Sequence, residues 1–520
     1  MQAVTPAPDG GYPGGNTAEG KSALLNLSSG TYNTAVGFSS LSAVTTGAYN
    51  TGVGAGALLL NTADQNTATG AGALLSNTTG GSNTANGAFA LLNNTIGGSN
   101  TATGATALQA NTTGSENTAD GLDALFSNTT GSFNTATGFG SLGGNTTGAD
   151  NTAIGVNALR FNSTGNQNTA TGEKALLNNT TGASNTATGF EALASNNIGF
   201  LNTATGNAAL GSNTTGANNT ANGAGALLDN TTGSDNTATG VVALISNTTG
   251  ADNTANGYQA LYHNTIGNAN TATGKNALVG NTTGINNTAT GDDALPSNTT
   301  GNNNTAIGYA TLANITTGSG NIAIGAGAGS GFTTANGSIC IGAGGSLNVS
   351  DSCFIANIFG ATSSGGSGVF INSAGQLGTS TSSRRFKDEI KPMAEASDAL
   401  FALKPVTFRY KKEIDPKRIA QFGLVAEDVE AVNSDLVVRD KDGKPYSVRY
   451  EQVNAMLLNE FLKEHRKVQE QETAITQLRK DFDSTIAQFT ARLHEQAAQI
   501  QKVNAQLEAS KAAPQVVNNP

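Results

Sequence analysis

A period of 17 residues constrains this chain more than any other feature. The motif N-T-A-x-G-x-x-A-L-x-x-N-T-T-G-x-x begins at Asn66, returns at Asn83, Asn100, Asn117 and Asn134, and continues to Asn304 and Asn321. Earlier copies start at Asn16, Asn33 and Asn50, and an imperfect one at Asn336. A constant step means one supersecondary unit stacked many times. The density of Gly, Asn and Thr leaves no apolar stripe at helical spacing, so a helical repeat is excluded. A mainly β fold remains, a repetitive parallel β-roll or β-solenoid. Each copy offers two short segments with strand-like alternation, such as Thr67–Thr69 and Ala73–Leu75, divided by Gly and by an Asn-Thr-Thr-Gly turn. Ala at the third place, Gly at the fifth, Ala at the eighth and Leu at the ninth recur and read as interior. The sixth, seventh, sixteenth and seventeenth places accept Lys, Glu, Asp, Phe or Gln and read as solvent-facing.

One Leu and two Ala per copy bury little area. At roughly 25 cal/mol per Å² this does not offset an ordering cost of about 1 to 2 kcal/mol per residue for a lone chain. Small interior residues instead suit several chains around a shared axis, so the expected state is a homotrimer.

Composition narrows the function classes. Of 26 Lys and Arg only Lys21, Arg160, Lys174 and Lys275 precede residue 381, against 15 of the 36 acids. The repeat region is therefore acidic and almost free of cations, and nucleic acid is not expected as its partner because it offers phosphates no counterion release. No run of about 18 apolar residues is present, so no helical membrane span is expected. The start, Met1-Gln2-Ala3-Val4, has neither a basic n-region nor an apolar h-region, and is compatible with a mature terminus behind a removed or unsupplied leader. Cys340, Cys353 and the three His residues do not make a metal site, and no cofactor is expected. The two cysteines read as small buried apolar residues at equivalent strand places, with a disulfide as the other reading.

Two sharper readings attach to the repeat. Thr-x-Thr on one strand face, as at Thr67 and Thr69, ranks hydroxyls as an ice-binding surface would, although Asn86, Asp120, Ile154, Asn222, Asn256 and Ile307 break the second column. The Asn-x-Thr triplets match glycosylation acceptors, and are more simply turn and Asn-ladder chemistry. A polysaccharide-degrading activity would need paired carboxylates at fixed separation, whereas the acids are scattered singly apart from Asp292 and Asp293.

The late copies NTAIG (Asn304 to Gly308), NIAIGAGAG (Asn321 to Gly329) and SICIGAGG (Ser338 to Gly345) are similar to the head repeats of trimeric autotransporter adhesins, with a longer step than is usual there. That resemblance implies left-handed parallel β-rolls.

After Gly360 the period gives way to a Gly/Ser-rich stretch with a short strand-like Val369-Phe370-Ile371, and from Arg384 the composition becomes that of an ordinary domain. The blocks SSRRFKDEI (Ser382 to Ile390), ALKPVTFRYK (Ala402 to Lys411), QFGLVAEDVEAV (Gln421 to Val432), DLVV (Asp435 to Val438) and YEQVNAMLL (Tyr450 to Leu458) resemble the intramolecular chaperone of endosialidase, the peptidase S74 family. The resemblance implies a domain that trimerises, assists folding of the fibre ahead of it and cuts itself free. It also implies a Ser-Lys dyad, a Ser followed five residues later by a Lys, which maps onto Ser382 and Lys387, with the cut between Thr381 and Ser382. A Ser hydroxyl is a weak nucleophile until a base takes its proton, and a Lys serves only if burial or neighbouring cations such as Arg384 and Arg385 favour its neutral form. Ser383 stands where the family commonly has Asp and is the alternative nucleophile.

Downstream, Phe461, Val468, Ile475, Phe482, Phe489 and Val503 fall on one seven-residue series, broken by Gln496, and Leu458, Ile486, Leu493, Ile500 and Leu507 on its partner. Alternating steps of 3 and 4 make a coiled-coil seam. The expected organisation is a disordered start over 1–15, the repeat fibre over 16–360, a junction over 361–381, a small α+β self-cleaving chaperone domain over 382–455, a trimeric coiled coil over 456–511 and a disordered tail over 512–520. The expected function is a homotrimeric tail-fibre-like or adhesin-like protein, extracellular, on a cell surface or virion tail. Its partners would be its own copies and a host or surface glycan.

Overall fold

A computed structural model of the chain describes residues 12–342, 344, 347–372 and 374–511. The start before Tyr12 and the tail over 512–520 lie outside the described residues. The chain divides into two compact units, Met1–Ala361 and Thr362–Pro520.

The first unit is a β-solenoid. Its 21 strands of three residues run from β1 (Thr17–Glu19) through β4 (Thr67–Thr69) and β20 (Ile339–Ile341) to β21 (Cys353–Ile355). Each pairs in parallel with the next in the chain, with Thr67 opposite Thr84 and Ala68 opposite Ala85. The coil length is 17 residues except where β3 (Thr51–Val53) meets β4, a step of 16, and where β20 meets β21, a step of 14.

Only the first of the two expected segments is a strand. Ala73–Leu75 is a turn, because Gly72 and Leu74 both take left-handed backbone, with φ of 67° and 52°. The geometry recurs at the ninth place of nearly every coil, at roughly 1–2 kcal/mol for each non-Gly residue. Inter-coil bonding persists through the turn, Leu74 N–H donating to the Ala90 carbonyl at 3.0 Å. Gly at the fifth place is fixed twice over. Gly70 has φ of 134°, and a Cβ there would sit 2.5 Å from the Gly87 carbonyl oxygen of the next coil.

The enclosed core also corrects the energetic premise for several chains. Within a single chain Ala68, Ala73 and Leu74 are fully buried, and so are Asn66 and Asn77, whose places the repeat pattern does not mark as interior. The Asn at the first place and the Asn at the twelfth form two internal ladders. Asn83 Nδ2 donates to Asn66 Oδ1 at 3.1 Å and Asn94 Nδ2 to Asn77 Oδ1 at 2.7 Å, and both Nδ2 atoms also reach the Gly97 carbonyl, each at 2.9 Å. Each bond contributes about 1 kcal/mol net, and the small side chains let the coil close on itself. The twelfth-place ladder stops where Ile315 replaces Asn, leaving Asn298 Oδ1 buried with no partner. Asn77, Asn111 and the other twelfth-place Asn residues of Asn-Thr-Thr triplets point inward, whereas Asn93, the acceptor of Asn93-Asn94-Thr95, is exposed.

The cysteines are not equivalent. Cys340 is buried at the centre of β20, whereas Cys353 opens β21, is exposed and lies opposite Ile339. Phe354 takes the inward place opposite Cys340, 5.9 Å ring to ring from Phe332. A spacing of 13 in a step of 14 moves the side chain to the other face. Both thiols are free.

The second unit begins with a hairpin of β22 (Val369–Ile371) and β23 (Leu377–Thr379). Two further antiparallel pairs follow, β24 (Val406–Phe408) with β25 (Gln421–Gly423), and β26 (Val437–Arg439) with β27 (Pro445–Val448), and α1 (Ala426–Val432) lies between them in sequence. A small core of Val429, Leu436, Val437, Val448 and Met456 holds these elements. The last element, α2 (Tyr450–Lys511), is one helix of 62 residues, about 93 Å long at 1.5 Å per residue. Its first three turns dock on the small domain, burying Met456 and Glu460, and every residue from 464 to 511 is exposed. No helix among the described residues is long and apolar enough to cross a membrane.

Candidate functional site

The residues expected to form a dyad, Ser382 and Lys387, lie between β23 and β24 in the chain. Arg384–Phe386 form a single 3-10 turn, in which Phe386 N–H donates to the Ser383 carbonyl at 3.0 Å and Lys387 N–H to the Arg384 carbonyl at 3.1 Å. This turn folds the chain back by enough to bring residues five apart together. Lys387 Nζ donates to Ser382 Oγ at 3.0 Å. Arg385 packs its guanidinium over the Phe386 ring at 4.6 Å. Ser383 occupies the N-cap of the turn, and its hydroxyl makes no capping hydrogen bond. The geometry therefore joins Lys387 to Ser382 and not to Ser383. Thr381, Ser382, Ser383, Arg384 and Lys387 are all exposed in the single chain.

A second Ser-Lys contact has no counterpart in the sequence reading. Ser397 is fully buried and donates to the Glu460 carboxylate. Around it, Asn459 Nδ2 donates to Ser397 Oγ at 2.7 Å, and Lys463 Nζ reaches Ser397 Oγ at 3.3 Å, Asp398 Oδ1 at 2.7 Å and Glu460 Oε1 at 2.6 Å. The bonds to Asp398 and to Glu460 hold the Lys463 ammonium above the ordinary lysine range, and the bonds from Lys463 and Ser397 hold Glu460 below the ordinary carboxylate range. This is the reverse of nucleophile activation, because the lysine is kept protonated and the serine proton is already donated to a carboxylate. The cluster is a polar clip between the 3-10 segment Ala394–Ala402 and α2. Its signal in the sequence is weak: Ser397 sits 63 residues before Glu460, and nothing in their spacing links them.

Asp292 and Asp293 do not share a cleft. Asp292 is exposed, and Asp293 accepts from Asn276 Nδ2 at 2.9 Å on the solenoid turn. Among the described residues no group of three or more His, Cys, Asp or Glu is placed to hold a metal ion.

Residues 382–438 match the peptidase S74 family, described as chaperone of endosialidase. The match begins at Ser382 itself and covers the 3-10 turn, β24, β25, α1 and the first two residues of β26. No curated protein matches the chain. The match to this chaperone family, behind a solenoid of some twenty coils in the same chain, suggests a tail-spike-like or fibre-like protein.

Proposed function

We propose that the chain is the protomer of a homotrimeric extracellular fibre, carried on a cell surface or a virion tail and directed at a surface glycan. Its C-terminal unit aligns three chains and then leaves by cutting the Thr381–Ser382 bond. The observation that carries this reading is the S74 match starting at Ser382, directly behind a repetitive stalk.

The need for such a unit follows from the stalk. Each coil bonds only to the coils before and after it, and those coils are nearly the same, so chains lying side by side can slip by whole repeats at little energetic cost. A clamp at one end removes that degeneracy. The unpartnered seam of α2 supplies it, with Phe461, Phe482 and Phe489 59–66% exposed in the single chain.

Cleavage would proceed from the Ser382–Lys387 contact. With Lys387 neutral, its Nζ takes the Oγ proton as Oγ attacks the Thr381 carbonyl carbon. The C–N bond of the Thr381–Ser382 peptide breaks and the Ser382 nitrogen accepts the proton, leaving Thr381 as an ester on Ser382 Oγ. Water then hydrolyses the ester and frees a Thr381 carboxylate and a Ser382 amine. Each chain does this once. A neutral lysine is favoured by burial or by other cations, and the pair is exposed in one chain, so the desolvation would come from the other copies, together with Arg384 and Arg385. Cleavage thereby waits for assembly.

Mass spectrometry of the expressed protein, with sedimentation of the same sample, tests both parts. The expected result is two fragments meeting at Thr381 and Ser382 and a species of three chains. An intact monomer would overturn the reading.

A further inference from the structure

The solenoid carries one exposed surface whose composition its own fold does not explain. Each of the 21 strands turns its middle residue inward and its first and third residues outward. The outward residues stack in two columns along the whole stalk. The first is Thr without a break from Thr17 to Thr305, then Ile322, Ile339 and Cys353. The second mixes Thr, Asn, Val and Ile and ends on Ile307, Ile324, Ile341 and Ile355. Across both columns only Glu19 and Asp120 carry a charge, although 15 acids precede residue 381 and the solvent-facing turns take Glu, Asp and Lys freely.

We infer that this face packs against the same face of other copies of the chain, three around a common axis with their coils level, and that the Ile end is where packing starts. The inference rests on the proposed trimer and assigns it a surface. Symmetry gives the reason for the missing charge. On an axis between identical level chains, every side chain of the face meets its own copies, so any charge meets like charge, which is destabilising at strand spacing. A face kept for solvent or for a different partner has no such restriction. The apolar end fits as well: Ile322, Ile324, Ile341 and Ile355 are 39–43% exposed and contiguous, where scattered single aliphatics would call for no explanation. Twenty strand steps of about 4.8 Å and a strand width of about 10 Å give roughly 1,000 Å² of face on each chain, divided between its two neighbours in a trimer.

The chain holds its own probe, because Cys353 is exposed at the end of the first column and Cys340 is buried. Mild oxidation of the full-length protein should link most chains in pairs through Cys353, and Cys353→Ser should abolish the product. In the Cys353→Ser background, Thr220→Cys in the middle of the face should restore pairing, and Asp229→Cys, exposed on the turn of the same coil, should not. Sedimentation of each sample separates the two levels of the argument. A monomer that does not link overturns the proposed trimer. A trimer in which neither Cys353 nor Thr220→Cys links leaves the trimer standing and overturns this face as its interface. Unlinked protein that shows thermal hysteresis with ice present would likewise overturn it and give the Thr columns to ice.

Discussion

Lys387 Nζ lies 3.0 Å from Ser382 Oγ, across a single 3-10 turn, and among the described residues no comparable contact reaches the Ser383 hydroxyl. Cleavage should therefore be lost in Ser382→Ala and in Lys387→Met and kept in Ser383→Ala, as read from fragment masses. A Ser383→Ala variant that stays intact while Ser382→Ala splits would move the nucleophile by one residue.

The legible part of this chain is the part with a period. Asn66, Ala68 and Leu74 return every 17 residues, and that is enough for a parallel solenoid with one strand at Thr67–Thr69. It is not enough for Ala73–Leu75, where apolar alternation looks like a strand but Gly72 and Leu74 turn the chain through left-handed backbone. Propensity gives little warning of a Leu at φ 52°, since only the bonds to neighbouring coils hold it there. The buried Asn ladders are half visible: the repetition signals a ladder, and its inward direction emerges only once the coil is closed. At the dyad, family spacing points to Ser382 and Lys387, while the clip at Ser397 and Glu460 joins residues too far apart for any sequence pattern to show.

The ladders should be locally costly to break. Asn196 donates to Asn179 Oδ1 at 2.8 Å and to the Gly199 carbonyl at 3.0 Å, and accepts from Asn213 at 2.8 Å. Asn196→Ala removes all three inside a closed core, at about 1–3 kcal/mol for the groups left unpaired. In a solenoid that loss stays with the altered coil and its neighbours. Amide hydrogen exchange should speed up around residues 179–213 and remain unchanged near Asn66. Uniform loosening of the whole stalk would contradict a ladder of local bonds.

The clip at Ser397 should give the small domain a pH window. Glu460 is held below its ordinary range, so its contribution is present above the unfolded value, about 4.3, and is lost as pH falls through the lowered one. Lys463 is held above its range, so its contribution is complete below about 10.4 and is lost as pH rises through the raised value. Thermal midpoints of the C-terminal unit should be highest between these limits. Ser397→Ala should lower them by the equivalent of about 1–2 kcal/mol, the cost of removing a fully buried hydroxyl from its partners Asn459 and Glu460. A flat profile between pH 3 and 7 would show that the clip contributes nothing.

The seam of α2 makes the last prediction, and it separates strength from specificity. Phe461, Val468, Ile475, Phe482, Phe489 and Val503 share one series with Gln496, and all are exposed in the single chain. If this series is the interior of a coiled coil, Gln496 places a polar amide among apolar neighbours, where it lowers stability and restricts register and partner number. Gln496→Leu should then raise the melting midpoint of the C-terminal unit, by about 1.5–3 kcal/mol per fully buried side chain, and broaden the distribution of assembly sizes in sedimentation. Phe482→Lys should act the opposite way, because a charge in that series meets its own copies in a closed interior, and should leave monomers. The pair of outcomes matters more than either alone. A stiff single helix serving only as a spacer would be indifferent to both substitutions, whereas a clamp that sets three chains level must lose registry when Gln496 is made apolar and lose association when Phe482 is made charged.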